Sequence, residues 1–371
     1  MSDPADVPIA LALSGGGIRA MVFHLGVLRR LAERGLLERV TKVSTVSGGS
    51  LLIGLILQEN NLAWPQSDQF LQTTLPALKQ KLCASSLQWG AGRRLLNPLN
   101  LRFILSRANL LALCLKKEWG VSSSLSALPE SPEWSINGTT AENGKRFRFK
   151  RGDIGDYTLG YAAGSDFPLA NAMAVSAAFP GGFGPLKLDA RRFVWRKRPW
   201  DAPVQDAQQV QPDFDSLHLY DGGVYDNLGL EPFFDAGTLR PKFGGHHLIV
   251  SDAGAPLPKG FGYWLLSPFR FKRVVDIMGD QARALRVRGF IGYLRTSKDA
   301  GAYVYIDTPV KDGTGADSTK FVAGFPTTLR RLKPAEFEQI LEHGYAVAMR
   351  VEQEFGLYGA GPGRRPSEQS T

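Results

Sequence analysis

Residues 7–13 form a short apolar run, VPIALAL, that stops at Ser14 and three consecutive glycines. A run this short, bounded by turn residues, reads as a buried strand. From Ile18 to Leu37 apolar residues return at helical spacing (Val22, Leu25, Leu28, Leu31), and Gly35 marks the stop. Lys42 to Val46 repeats the strand pattern and runs into Ser47-Gly48-Gly49-Ser50, after which Leu51 to Leu57 reads as an apolar helix. Strand, turn and helix thus occur twice in succession, which predicts an α/β fold with a mainly parallel sheet covered by helices.

Residues 65–130 mix helical stretches with loops and read as a helical insertion over that core. Beyond it, Trp134 to Asn137 and Arg146 to Phe149 are strand-like and flank the turn Glu142-Asn143-Gly144. Phe167 to Phe179 reads as a helix ending at Pro180-Gly181-Gly182. Leu217 to Tyr220 is a strand that enters Asp221-Gly222-Gly223, and His247 to Val250 is another. Phe271 to Tyr293 and Pro334 to Phe355 read as amphipathic helices, with a strand at Tyr303 to Asp307 between them. The pattern is that of one domain over 1–356, followed by a tail, 357–371, whose Gly, Pro, Arg and Ser content predicts disorder.

Composition narrows the class. Of 371 residues 43% are apolar and 21% charged, which fits a globular chain and excludes a disordered one. Two cysteines, Cys83 and Cys114, are too few for a disulfide framework and lack metal-ligand spacing. The net charge of +9 admits nucleic acid, an anionic membrane or an acidic substrate without choosing among them. The acidic opening Met1-Ser2-Asp3-Pro4-Ala5-Asp6 has no basic signal-peptide start, and no apolar run is long enough to span a bilayer. A cytoplasmic protein, peripheral to a membrane at most, is the expectation.

Three constellations carry chemistry. In Ser14-Gly15-Gly16-Gly17-Ile18-Arg19 the glycines lie between strand and helix, where backbone N–H groups converge on negative charge. Such a turn serves as a phosphate cradle or as an oxyanion hole. The loose dinucleotide spacing Gly15-x-Gly17-x-x-Ala20 is present, but the second strand ends at Ser47 rather than at an acidic residue. Thr45-Val46-Ser47-Gly48-Gly49 is close to the nucleophile elbow Gly-x-Ser-x-Gly, with Thr45 replacing the first glycine. A helix cap is the plain alternative for Ser47. Asp221-Gly222-Gly223 follows a strand and on its own is as well explained by a turn.

Taken together and in this order, Gly15-Gly16-Gly17-Ile18-Arg19, Ser47-Gly48-Gly49 and Asp221-Gly222-Gly223 resemble the patatin-like phospholipase family. The small-residue segment Asn171 to Pro180 resembles that family's helix ending in proline, and the likeness runs over about residues 7–256 with 65–130 unmatched. The resemblance implies a three-layer α/β/α fold and hydrolysis of lipid acyl esters by a Ser47–Asp221 dyad, with no metal or cofactor. Ser47 would form the acyl-enzyme and Asp221 would act as general base. N–H groups of Gly15, Gly16, Gly17 and Gly48 would hold the oxyanion, with Gly49, Gly222 and Gly223 in support. Arg19 would brace the glycine turn, sit near a phosphate, or form a structural salt bridge.

Two other readings stay open on sequence. A Ser–His–Asp esterase would recruit His246 or His247, and a non-catalytic anion-binding module would use the glycine turn alone. His24, on the first helix among apolar residues, reads as a packed residue. Three basic aromatic segments, Arg93 to Trp119, Arg191 to Trp200 and Phe261 to Arg273, suit an anionic headgroup layer. Lipid, and no nucleic acid, is therefore the expected partner.

Overall fold

The computed structural model describes residues 7–95, 107–179, 184–199, 202–262, 264, 267, 269–297, 300–310 and 318–355. The expected tail 357–371, the Pro180-Gly181-Gly182 helix stop and residues 96–106 of the insertion lie outside them.

The first motif forms as the pattern predicts. β1 (Ile9–Leu13) leads through the glycine turn into α1 (Gly17–Glu33), and β2 (Val40–Thr45) leads through Ser47 into α2 (Gly48–Glu59). The helical segments α3 (Ser67–Gln69), α4 (Leu75–Ala84), α5 (Leu87–Leu95) and α6 (Arg107–Glu118) then cross to β3 (Glu133–Thr140). Leu78, Leu82, Leu111 and Leu115 of this stretch are buried in the main core, so its described part is built into the fold.

A run of short strands follows: β4 (Arg146–Phe149), β5 (Asp153–Asp156) and β6 (Gly160–Ala163). After α7 (Leu169–Ser176) come β7 (Leu186–Asp189), β8 (Trp195–Lys197), β9 (Gln208–Val210) and β10 (Ser216–Asp221). The short helix α8 (Gly223–Asp226) and a small hairpin, β11 (Phe234–Asp235) with β12 (Arg240–Pro241), precede β13 (His247–Asp252). The chain closes with α9 (Phe269–Thr296), β14 (Gly301–Tyr305), α10 (Thr319–Ala323) and α11 (Pro334–Phe355).

The sheet order is β14-β13-β1-β2-β3, all parallel, extended antiparallel through β4, β5, β6, β8 and β9, with β10 pairing β3 and β7 off this path. The parallel center is the part that carries the loops of interest. β1 is buried on both faces, as a central parallel strand must be. Ile9, Leu11 and Leu13 pack with α1, α2 and α11, while Ala10 and Ala12 pack with Phe234, Val250 and Phe290 on the other side. That arrangement gives the expected three layers.

α1 and α11 cross at backbone contact. A Cβ on Gly26 would fall on Leu341 O, and one on Gly344 would fall on Phe23 O. Gly26→Ala or Gly344→Ala is therefore expected to cost about 1–3 kcal/mol through forced helix separation, read as a lower urea midpoint with an unchanged slope.

Candidate active site

β1 and β2 end side by side, with Leu13 in register with Thr45, and the turns that follow them meet. Gly16 and Gly17 take φ values of 144° and 61°. Only glycine enters that region freely, which is why the strand can reverse into α1 here. Ile18 N–H donates to Thr328 O at 2.9 Å and fixes the turn from outside.

Ser47 sits at φ 50°, ψ −116°, a costly conformation for a residue with a Cβ. The surroundings enforce it. Ser47 N–H donates to Ser176 O at 3.0 Å, and a Cβ on Gly48 would fall on Gly17 O. The Ser47 hydroxyl does not cap α2, so the capping role open on sequence is not taken. It lies instead close enough to the Asp221 carboxyl to lower the pKa of that group. Ser47 is half-buried, which leaves the hydroxyl reachable.

Thr45, the departure from the elbow pattern, has a local reason. Its Oγ1 accepts from Trp134 Nε1 at 2.8 Å and shares a hydrogen with Ser50 Oγ at 2.7 Å, which in turn meets Ser176 Oγ at 2.8 Å. A glycine there would remove the middle of this buried chain and leave the Trp134 N–H without its partner. The sequence marks Trp134 only as part of a strand-like run and Ser176 only as part of the Asn171 to Pro180 segment, neither for this contact.

Asp221 ends β10 and is buried. Its N–H donates to Ala178 O at 3.2 Å, and its Oδ1 accepts from Gly223 N–H at 2.7 Å. The turn expected from Asp-Gly-Gly does form, and the carboxyl faces Ser47 as well. Burial raises the Asp221 pKa from 3.8 to about 7, against the Gly223 N–H and the Ser47 hydroxyl, which both lower it.

The glycine turn offers fewer donors than its sequence suggests. Gly15 N–H donates to Asn227 O at 3.1 Å and is committed. Gly16, Gly17 and Gly48 N–H have no hydrogen-bond acceptor among the described residues. Gly15 serves by its missing side chain: a Cβ there would fall on Asn227 Oδ1 and come 3.0 Å from Ser47 Cβ. Asn227, wedged between Gly15 and Gly223, is a further residue that no pattern singles out.

Arg19 is buried under the turn, with Nη2 donating to Ala253 O at 3.1 Å and Nη1 to Phe325 O. Both partners are backbone carbonyls, and Ala253 O lies close to Gly16 of the turn. Desolvation lowers its pKa to about 10. The nearby Asp252 carboxylate is taken up by Arg283.

The histidines lie elsewhere. His247 opens β13 opposite Ile9, whereas Ser251 lies opposite Leu13. Four residues of strand, about 13 Å, therefore separate His247 from the end of the sheet where Ser47 sits. His246 precedes it and bonds Thr41 Oγ1 at 3.1 Å. His24 is packed, as expected, between Ser251 Oγ at 2.7 Å and Ser14 O at 3.0 Å, and burial lowers its pKa to about 4. Among the described residues no cluster of His, Cys, Asp or Glu could hold a metal ion.

The buried carboxyl makes a stability prediction. Between pH 3.8 and about 7 the folded protein keeps a proton on Asp221 that the unfolded chain has lost. The stabilising contribution is complete below the lower value and is lost as pH rises through the upper one. Asp221→Asn should therefore raise Tm at about pH 8 by more than it does at about pH 5, measured by thermal denaturation.

A family model described as patatin-like phospholipase matches residues 11–234. Human GIVD cytosolic phospholipase A2 superposes with a TM-score of 0.53 and 16% identity, over 95% of this chain and 59% of that chain. In complex with methyl gamma-linolenyl fluorophosphonate the same human protein gives 0.52 and 16%, over 94% and 58%. VipD from Legionella pneumophila aligns at 0.40 and 14%, over 95% and 68%, too low a score to bear on the fold. The chain thus spans about 59% of the human protein's length, and at such identity the likeness speaks for the fold alone. No curated protein sequence matches. With the family model covering the glycine turn, Ser47 and Asp221 in one span, the chain belongs to the patatin-like phospholipase family.

Proposed function

We propose that this protein is a serine lipid acyl hydrolase that cleaves acyl esters of phospholipids or related lipids through a Ser47–Asp221 dyad. One observation carries the reading: a strained, half-buried serine set close to a buried carboxyl that burial pushes up to about 7. A general base works best when its pKa lies near the operating pH.

Ser47 Oγ attacks the acyl carbonyl while its proton passes to Asp221. The N–H groups of Gly16, Gly17 and Gly48 receive the developing oxyanion at the start of two helices, where the backbone dipoles favour negative charge. Asp221 then returns the proton to the departing alcohol oxygen, leaving the acyl group on Ser47. Water attacks next, its proton taken by Asp221, and the fatty acid leaves as Ser47 regains its hydrogen. Exposed Phe179 and Val224, next to Ala178 and Gly223 around Asp221, offer apolar surface to an acyl chain.

His246 and His247 have no part in this scheme, and neither does a metal. Release of fatty acid from mixed phospholipid vesicles tests it. Ser47→Ala and Asp221→Asn should each lower kcat by ~10³-fold or more, while His246→Ala retains activity. Loss in His246→Ala or in His247→Gln, with the fold intact, would favour the Ser–His–Asp alternative. Lipid binding without release in the wild type would favour the anion-binding module.

The pH profile follows from the base. Protonated Asp221 cannot accept the serine proton, so kcat/KM should fall as pH drops through about 7 and level off above it. A rate independent of pH across that value would contradict Asp221 as the base.

A further inference from the structure

Over its first half α9 turns an apolar side outward, while its second half packs on the protein. Arg283 anchors it, with Nε donating to Asp252 Oδ2 at 2.8 Å while Tyr303 Oη donates to the same oxygen. Farther along, Phe290 is buried against the sheet. Asp252 closes β13 one residue past Ser251, at the end of the sheet where Leu13 and Thr45 lie in register. That is the end that carries Ser47.

From this anchor α9 runs back along the sheet, because β14 begins with Gly301 beside Leu248 near the opposite end. The helix from Arg283 to Thr296, ~20 Å at ~1.5 Å per residue, matches the length of the six-residue strand β13. The stretch from Phe269 to Ala282 therefore projects ~20 Å past the edge that holds Ser47.

On and just beyond that projecting stretch Phe271, Val274, Val275, Met278, Ala282 and Leu285 recur at helical spacing on one face, and all are exposed. Phe271 is 76% exposed, Met278 66% and Leu285 63%. Single exposed apolar residues are ordinary, but a continuous stripe over four turns marks an interaction surface. Asp276 and Asp280 lie on the opposite side of the helix, and Arg270 and Arg288 flank the stripe.

We propose that the projecting half of α9 seats itself in an anionic lipid surface, and so sets the ester bonds of that surface before Ser47. Apolar side chains at this depth enter the acyl boundary while flanking arginines meet headgroup phosphates, a match reinforced by the net charge of +9. The proposal rests on the hydrolase reading for its purpose but not for its test. It also separates the three basic segments. The first buries Leu111, Leu115 and Trp119 in the core, and the second buries Trp195 in the sheet.

The test is sedimentation with vesicles of phosphatidylcholine and phosphatidylglycerol, in a Ser47→Ala background so that the vesicles persist. Phe271→Asp with Met278→Asp should weaken partitioning by about tenfold or more, with Tm unchanged. Val194→Asp, an exposed apolar position in the second segment, should leave partitioning as it was. Equal binding by the double variant, equal loss in Val194→Asp, or no vesicle binding at all would overturn the proposal. So would a dimer seen by ultracentrifugation that the double variant dissolves, since the stripe would then belong to a second copy. Hydrolysis of a water-soluble short-chain ester by the wild type is scored separately. Its absence would count against the hydrolase reading, while vesicle partitioning alone decides the role of α9.

Discussion

Everything at this site depends on how closely two turns approach at one end of the parallel sheet. Gly48 lies so near Gly17 O that no side chain fits between them, and Gly15 stands in the same relation to Asn227. That approach holds Ser47 in a conformation it would not adopt alone. The strain is supported from behind by the hydroxyl chain through Thr45, Ser50 and Ser176. Strain of this kind persists only where the surroundings over-determine it.

The second support is electrostatic. Three charged groups, Arg19, Asp221 and Asp252, are buried near this edge, and each is handled differently. Asp252 takes Arg283 and Tyr303 as partners, so its charge is satisfied. Arg19 holds the backbone carbonyls of Ala253 and Phe325. Asp221 accepts from one backbone N–H with the Ser47 hydroxyl close by, too little to offset its burial, and its pKa rises. The least compensated of the three is the one placed against Ser47, which is what a proton acceptor working near neutrality requires.

Much of this was legible in the chain because strong local signals and tertiary packing agree there. β1, α1, β2 and α2 appear where apolar runs and glycines put them, and α11 spans Pro334 to Phe355 as its periodicity predicts. The short strands β5 to β9 left no pattern, being three or four residues long with turns close on either side. The last strand lies at Gly301–Tyr305 rather than at Tyr303 to Asp307, because Gly301 alone can approach Leu248 closely enough to begin it. Within the site, Ser47, Asp221 and the glycines carry motifs. Asn227, Ser176 and Trp134 act through contacts that only the folded chain creates. The commitment of Gly15 N–H to Asn227 O is equally invisible in sequence.

The most direct test of the central claim is to trap the nucleophile. The protein is treated with a fluorophosphonate and the modified residue is located by peptide mass spectrometry. A single adduct on Ser47, formed faster as pH rises through about 7 and slowed in Asp221→Asn, is the result expected of a serine activated by that carboxyl. An adduct on any other residue, or an unmodified Ser47 in folded protein with lipid present, would contradict it.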